Sequence, residues 1–316
     1  MEIGGFIEFP TYTGKLYHEN AIALNSARNS LAYLIEAKKI KKIALPRFLC
    51  ASVGQICKKY NVEIKYYSIG IDFMPKALKI AKDEWLYLVN YYGQIDNEKI
   101  EEIKKDKTLL IVDNVQAYFQ MPVKGVDTIY TCRKYFGVSD GAFLYTDSLI
   151  PYELEKDKSS NRMLHLLGRL EDTASKYYPI YTENEEMFEQ LPLRKMSKVT
   201  ENILRSVDYC EVKKIRKQNF LYLNDELSYL NKLFLHIPEA PFMYPLYLPN
   251  GNKIRKALQQ REIYIPTLWP DVFDLCQESD LEYDMAKNIL PLPCDQRYDL
   301  NTMRYLVKEV KRYLNL

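Results

Sequence analysis

The sequence predicts an α/β protein with a largely parallel central sheet, followed by a smaller α+β unit. Short apolar runs alternate with amphipathic stretches through the first half of the chain, the pattern of strand–helix–strand units. Past residue 145 that alternation stops, a long helical stretch intervenes, and Pro238, Pro241, Pro245 and Pro249 punctuate a new section. A chain of 316 residues, 47% apolar and 27% charged, can bury a substantial core and has an ordinary folded composition. We divide it into a large domain over 1–200 and, over 201–316, a long linking helix with a small C-terminal domain.

Taken in order, the first twenty residues carry Gly4, Gly5, Pro10 and Gly14 and read as an irregular arm. Asn25 or Ser26 can cap a helix whose apolar residues Ala27, Leu31, Leu34 and Ile35 share one face. Arg28 lies in its first turn, where the helix dipole disfavours a cation by roughly a few tenths of a kcal/mol. A phosphate held by backbone N–H groups near Ala27 and Arg28 accounts for that cation, and a solvated surface arginine is the alternative. Residues 42–45 read as a strand ended by Pro46, 51–60 as a helix, 63–67 as an alternating strand and 74–82 as a helix. Residues 85–91 form another apolar run stopped by Gly93, and 97–105 a charged helix with Ile100 and Ile103 inward. Residues 109–112 and 128–131 are short, β-branched or Tyr-containing runs, as buried strands are. Further on, 152–171 reads as helical and 176–190 as a mixed connector. Residues 200–234 read as one long helical stretch with Ile203, Val207, Cys210 and Ile215 on a shared face. Residues 244–248 then read as a strand, and 252–260 and 301–314 as helices.

The chemistry concentrates between residues 108 and 145. Asp113 stands where one predicted strand stops, the place where parallel sheets carry their sites. Gln116 follows three residues later, and Lys134 comes just after the next strand, ahead of Gly137 and Gly141. An acid after one strand and a lysine after the next is the pair a pyridoxal phosphate (PLP) enzyme needs. The lysine forms the Schiff base, and the carboxylate keeps the pyridine nitrogen protonated. Taken singly, Asp113 reads as a turn residue and Lys134 as one solvated lysine among 44 basic residues; together with Gln116 and Gly141 they favour function.

These residues also carry a resemblance. Asp113-x-x-Gln116-Ala117 and Arg133-Lys134-x-x-Gly137-x-x-Asp140-Gly141 resemble the DegT-type sugar aminotransferases, a branch of the fold-type I PLP enzymes. Leu24-Asn25-Ser26-Ala27-Arg28-Asn29 resembles that family's phosphate-binding turn, and the likeness continues through Ile265-Pro266-x-x-Trp269-Pro270 and Leu292-Pro293. The resemblance implies pyridoxal 5′-phosphate as cofactor and Lys134 as the catalytic residue that binds it and moves a proton between Cα and C4′. It implies Asp113 on the ring nitrogen, Gln116 on the phenolic oxygen, Ala27 and Arg28 at the phosphate, Thr131 beside phosphate or lysine, and Cys50 against the ring face. Cys50 stands where many relatives carry an aromatic residue, Ala27 where glycine is usual, and Thr131 departs from the commoner spacing.

The implied reaction moves an amino group from an amino acid, with glutamate the donor considered, onto a keto sugar that is nucleotide-linked. Its setting is surface polysaccharide or secondary-metabolite sugar synthesis. A dehydrating relative type replaces the lysine with histidine, so Lys134 points to transamination. Relatives are homodimers, and residues 193–199 are where the neighbouring chain is expected to contribute. A rival reading, prompted by Cys50, Ala27 and the short chain, is a catalytically inactive PLP-fold binding or regulatory protein. The arginine that grips the donor carboxylate is left open among Arg255, Arg261, Arg297 and Arg304.

Other classes find little support. The net charge of +2 provides no global basic field for nucleic acid or an anionic membrane. The basic runs at 38–42 and 213–217 read as solvated helix faces; a nucleic-acid binder built on them would show steep salt dependence. His18, His165 and His236 lack metal-ligand spacing, so no metal is expected. The six cysteines show no C-x-x-C pair. With no signal-like N-terminus and no apolar stretch approaching the ~20 residues of a membrane span, a cytoplasmic location is expected.

Overall fold

A computed structural model describes residues 3–105 and 108–314. Seven strands make the central sheet: β1 (Ile22–Leu24), β2 (Lys42–Pro46), β3 (Glu63–Tyr67), β4 (Trp85–Val89), β5 (Leu109–Asp113), β6 (Asp127–Thr131) and β7 (Ala142–Tyr145). Their order is β1-β7-β6-β5-β4-β2-β3. The pairings from β3 across to β6 are parallel, and β7 runs antiparallel between β6 and β1. β2, β4, β5 and β6 are buried along nearly their whole length, which is why they read as continuous apolar runs rather than alternating ones.

Helices α1 (Ala27–Lys38), α2 (Ala51–Lys59) and α3 (Asn97–Lys105) connect these strands. Ser26, not Asn25, caps α1: its Oγ accepts the Asn29 N–H at 3.1 Å, a bond worth about 1 kcal/mol. Asn25 acts behind it, accepting from Asn29 Nδ2 at 2.9 Å and donating to the Pro192 carbonyl at 3.1 Å.

The rest of the chain is mainly helical: α4 (Leu164–Glu171), α5 (Tyr178–Met187), α6 (Lys198–Leu204), α7 (Tyr209–Leu227), α8 (Gly251–Gln259), α9 (Val272–Leu275), α10 (Leu281–Asn288) and α11 (Leu300–Arg312). Strands β8 (Met243–Tyr247) and β9 (Ile289–Pro293) pair antiparallel in a second, two-stranded sheet. Phe220, Leu223 and Leu227 line one face of α7 and pack with Tyr244, Leu246, Leu290, Leu292, Met303 and Val310 in a second core. Trp269, Val272 and Met285 instead join the core of the large sheet, so the C-terminal part contributes to both.

Four sequence expectations need correction. Residues 74–82 form no helix: the Gly70 N–H bonds back to Met74 O and the Lys76 N–H to Ser68 O, both at 2.8 Å, and Ala77 adopts φ 45°. The stretch 200–234 is two helices, broken where Asp208 Oδ1 takes the Cys210 and Glu211 N–H groups at 3.0 Å each. The buried face of α7 runs through Arg216, Asn219 and Phe220, and Cys210 is exposed. Within 152–171 the α-helix begins only at Leu164, and the connector 176–190 contains α5. Among the described residues no helix is long and apolar enough to cross a membrane.

Candidate active site

Asp113 ends β5 in the middle of the sheet and is buried. Its Oδ1 accepts the Val115 N–H at 3.0 Å and its Oδ2 the Tyr87 hydroxyl at 2.9 Å. The register explains the second contact: Val89 lies opposite Asp113, so Tyr87, two residues back, is its diagonal neighbour on the same face. Burial raises the Asp113 pKa, while the charge of Lys134, the Val115 N–H and the Tyr87 hydroxyl lower it.

Lys134 lies in a tight turn after β6. The Tyr135 and Phe136 N–H groups both bond to Cys132 O, at 3.0 and 2.9 Å, and the Cys132 N–H bonds to Gly141 O at 3.0 Å. Tyr135 clamps the turn from both sides. Its hydroxyl donates to Gln116 O at 2.8 Å, and its carbonyl accepts Gln296 Nε2 at 2.7 Å. Lys134 is exposed, with Nζ 5.6 Å from the centre of the Phe242 ring. Protein crowded around it nevertheless strips enough water to lower its pKa. Asp113 and Cys50 oppose that fall, Arg133 adds to it, and Glu185 opposes it.

Gly141, at the far end of this segment, has φ 111°, and a Cβ there would stand 2.8 Å from Thr200 Cγ2. Asp140 beside it is spent on structure: its carboxylate accepts the Ser197 N–H at 2.9 Å, the Ser197 hydroxyl at 2.7 Å and the Thr200 hydroxyl.

The other predicted residues surround these two. Gln116 is buried, and its Oε1 accepts the Tyr92 N–H at 2.7 Å. Cys50 is half-buried at the start of α2, with Sγ 2.9 Å from Ser52 Oγ. Thr131 is the buried last residue of β6, its hydroxyl 3.5 Å from Gly141 O, a long contact. Ala27 and Arg28 open α1, where the first N–H groups lack intrahelical acceptors.

Arg28 is the anomaly of the site. Its Nε and Nη1 are sealed from solvent and have no hydrogen-bond partner among the described residues. Burial lowers its pKa; Glu189, Cys50 and Glu185 oppose that, and Arg133 adds to it. A guanidinium so placed, at a helix N-terminus, marks a site short of an anion. The residues present therefore fit a phosphorylated pyridine cofactor, with an unpaired cation for its phosphate and a buried carboxylate for its ring nitrogen.

The four arginines left open for the donor carboxylate are already engaged. Arg297 forks onto Asp295 at 2.7 and 2.8 Å, and Arg261 pairs with Glu309. Arg304 bonds to Asn301, and Arg255 donates to the Lys287 and Ile289 carbonyls at 3.1 and 2.6 Å. Residues 193–199 lie along β1 of their own chain, with the Asn25 N–H on Arg194 O at 3.0 Å and the Met196 N–H on Ala23 O at 3.1 Å. Sequence reasoning missed Tyr87, Tyr135 and Phe242, and the ion pair between Arg133 and Glu185. Only Tyr87 left a signal, as a tyrosine at period-2 spacing in a strand beside Asp113.

The mostly parallel sheet, the carboxylate ending a central strand and the lysine turn after the next strand define the architecture of the fold-type I PLP transferases. Solved structures share this fold. It is similar to a DegT DnrJ EryC1 StrS aminotransferase from Brucella abortus, at 12% identity and TM-score 0.64, over 93% of this chain and 85% of that one. It is similar to NtdA from Bacillus subtilis with bound cofactor PMP, at 12% identity and TM-score 0.67, over 97% and 79%. A third is Helicobacter pylori PseC, an aminotransferase involved in the biosynthesis of pseudoaminic acid, at 12% identity and TM-score 0.61, over 92% and 86%. No family model and no curated protein matches the sequence. At such identities the likeness establishes the fold, and the chemistry is argued from the site.

Proposed function

We propose that this chain is a PLP-dependent aminotransferase that moves an amino group from an amino acid, glutamate first among candidates, to a keto sugar. The observation that carries the reading is the Asp113–Lys134 pair: a buried carboxylate and a lysine of lowered pKa, each in the other's field. The Arg28 guanidinium supports it, as does the likeness to the Brucella abortus and Helicobacter pylori aminotransferases and to NtdA with bound PMP. Nucleotide linkage of the sugar, a role in surface polysaccharide or secondary-metabolite synthesis, a homodimer and a cytoplasmic location belong to the same proposal.

In this reading Arg28 and the N–H groups of Ala27 and Arg28 hold the phosphate of pyridoxal 5′-phosphate, with the Thr131 hydroxyl nearby. Asp113 holds a proton at the ring nitrogen. Each of its oxygens already accepts one bond, which fixes the carboxylate plane and leaves lone pairs free for a further donor. Gln116 would donate to the phenolic oxygen, and the Cys50 thiol would lie against the ring face. When bound, the cofactor supplies an electron sink for charge developing at the carbon that bears the amino group. Lys134 Nζ would take the proton from that carbon and deliver it to C4′ of the cofactor, and its lowered pKa increases the neutral fraction able to act as base. The Tyr135 clamp holds the backbone from which it works.

Borohydride reduction of the PLP-treated protein, followed by peptide mapping, tests the assignment. The account expects the reduced cofactor on Lys134. Label on another lysine, or none at saturating PLP, would overturn it.

A further inference from the structure

We propose that Arg133 and Arg28 form one two-guanidinium site for a phosphate monoester, and that Glu185 of α5 is its intramolecular place-holder, displaced when the phosphate enters. The proposal rests on the functional reading above and adds to it a second arginine and a carboxylate that competes with the ligand.

Arg133 immediately precedes Lys134 in the turn after β6. Its Nη2 is bonded to Glu185 Oε1, and its guanidinium lies over the Phe188 ring, 4.0 Å from the centroid. Neither partner is sealed: the side chains are 21% and 37% exposed, so water and solutes can exchange the contact. Arg28 lies within the fields of Arg133, Glu185 and Glu189, and two of its nitrogens lack partners. The Glu185 carboxylate thus bonds one guanidinium, Arg133, while its charge also acts on the other, Arg28. A phosphate dianion has the charge and oxygens to bond both.

The position of α5 supports displacement. Asn184, next to Glu185, is buried at 4% exposure with both amide atoms unpartnered. His165 of α4 lies against Tyr181 of α5, with its buried Nδ1 also unpartnered. Buried polar groups without partners disfavour the placement that buries them. Tyr178, Tyr181 and Met187 of the same helix remain exposed, so α5 gains little from apolar burial. What ties α5 to the site is the Glu185–Arg133 bond and the stacking of Phe188.

The test compares three probes on cofactor-free protein: pyridoxal 5′-phosphate, pyridoxal and inorganic phosphate, each titrated calorimetrically into wild type, Glu185→Gln and Arg133→Gln, with melting curves to confirm folding. Removing an ion pair of this exposure should tighten pyridoxal 5′-phosphate and inorganic phosphate by about two- to fivefold in Glu185→Gln and leave pyridoxal unchanged. Arg133→Gln should weaken both phosphate probes by about tenfold or more. Unchanged phosphate affinity in Glu185→Gln, or equal tightening of pyridoxal, overturns the place-holder. Unchanged phosphate affinity in Arg133→Gln overturns the two-arginine site. If wild type binds inorganic phosphate in this Glu185-dependent way yet never forms the lysine-linked cofactor, the aminotransferase reading fails while the anion site stands. If it forms that link but Glu185 has no effect, only the place-holder falls.

Discussion

Replacing His18 with glutamine should flatten the acid side of this protein's stability curve. His18 is fully buried among the rings of Tyr118, Tyr130, Phe143 and Tyr145. Its Nε2 lies 2.8 Å from the Tyr118 carbonyl and its Nδ1 3.2 Å from the Tyr145 hydroxyl. A neutral ring with its proton on Nε2 satisfies both, donating to the carbonyl and accepting from the hydroxyl; the tautomer is assigned from these partners. Burial lowers the pKa from 6.5 to about 4, opposed by the Tyr118 carbonyl. Between those values the unfolded chain binds more protons at this site than the folded one. Stability contributed by the neutral ring is therefore complete above pH 6.5 and is lost as pH falls towards 4. At about 1.4 kcal/mol per unit, the loss between pH 7 and 4.5 comes to roughly 2.5 kcal/mol. Glutamine can make both hydrogen bonds and does not titrate. Urea unfolding of both proteins at the two pH values should show wild type losing that much more than His18→Gln. Equal losses would refute the reasoning.

Two further perturbations probe the site. Asp113→Asn keeps an oxygen for the Val115 N–H but removes the charge that holds the Lys134 pKa up. In cofactor-free protein that pKa should drop further, as read from the pH dependence of amine labelling at Lys134. An unchanged value would mean the two groups are not coupled. Arg28→Met removes a guanidinium with two sealed, unpaired nitrogens, so cofactor-free protein should become more stable by about 1 kcal/mol while losing about tenfold or more in pyridoxal 5′-phosphate affinity. A melting curve and a cofactor titration read the two changes; a loss of stability would mean that Arg28 is satisfied within the chain.

The large sheet was legible because its inner strands are covered on both faces and so appear as bare apolar runs between amphipathic helices. The positions of Asp113 at the end of β5 and of Lys134 just after β6 were legible because each follows a short apolar run. β1 was not: it has three residues and is held by β7, over a hundred positions away in sequence. The helix expected over 74–82 failed because local apolar spacing cannot register a main chain that folds back on Ser68 and Gly70. α7 was placed but its inner face misread, since Arg216 and Asn219 lie on it; both polar side chains are buried because Gln296 and main-chain carbonyls meet them. In the site, the Tyr135 clamp and the Arg133–Glu185 pair were invisible because each joins segments that only the fold brings together.

The most direct test of the central claim is the near-visible absorbance of the purified protein with pyridoxal 5′-phosphate, beside a Lys134→Ala variant. The account predicts a band of lysine-bound cofactor in wild type that shifts when glutamate is added and is absent from the variant. No band at saturating cofactor, or the same band in both proteins, would contradict it.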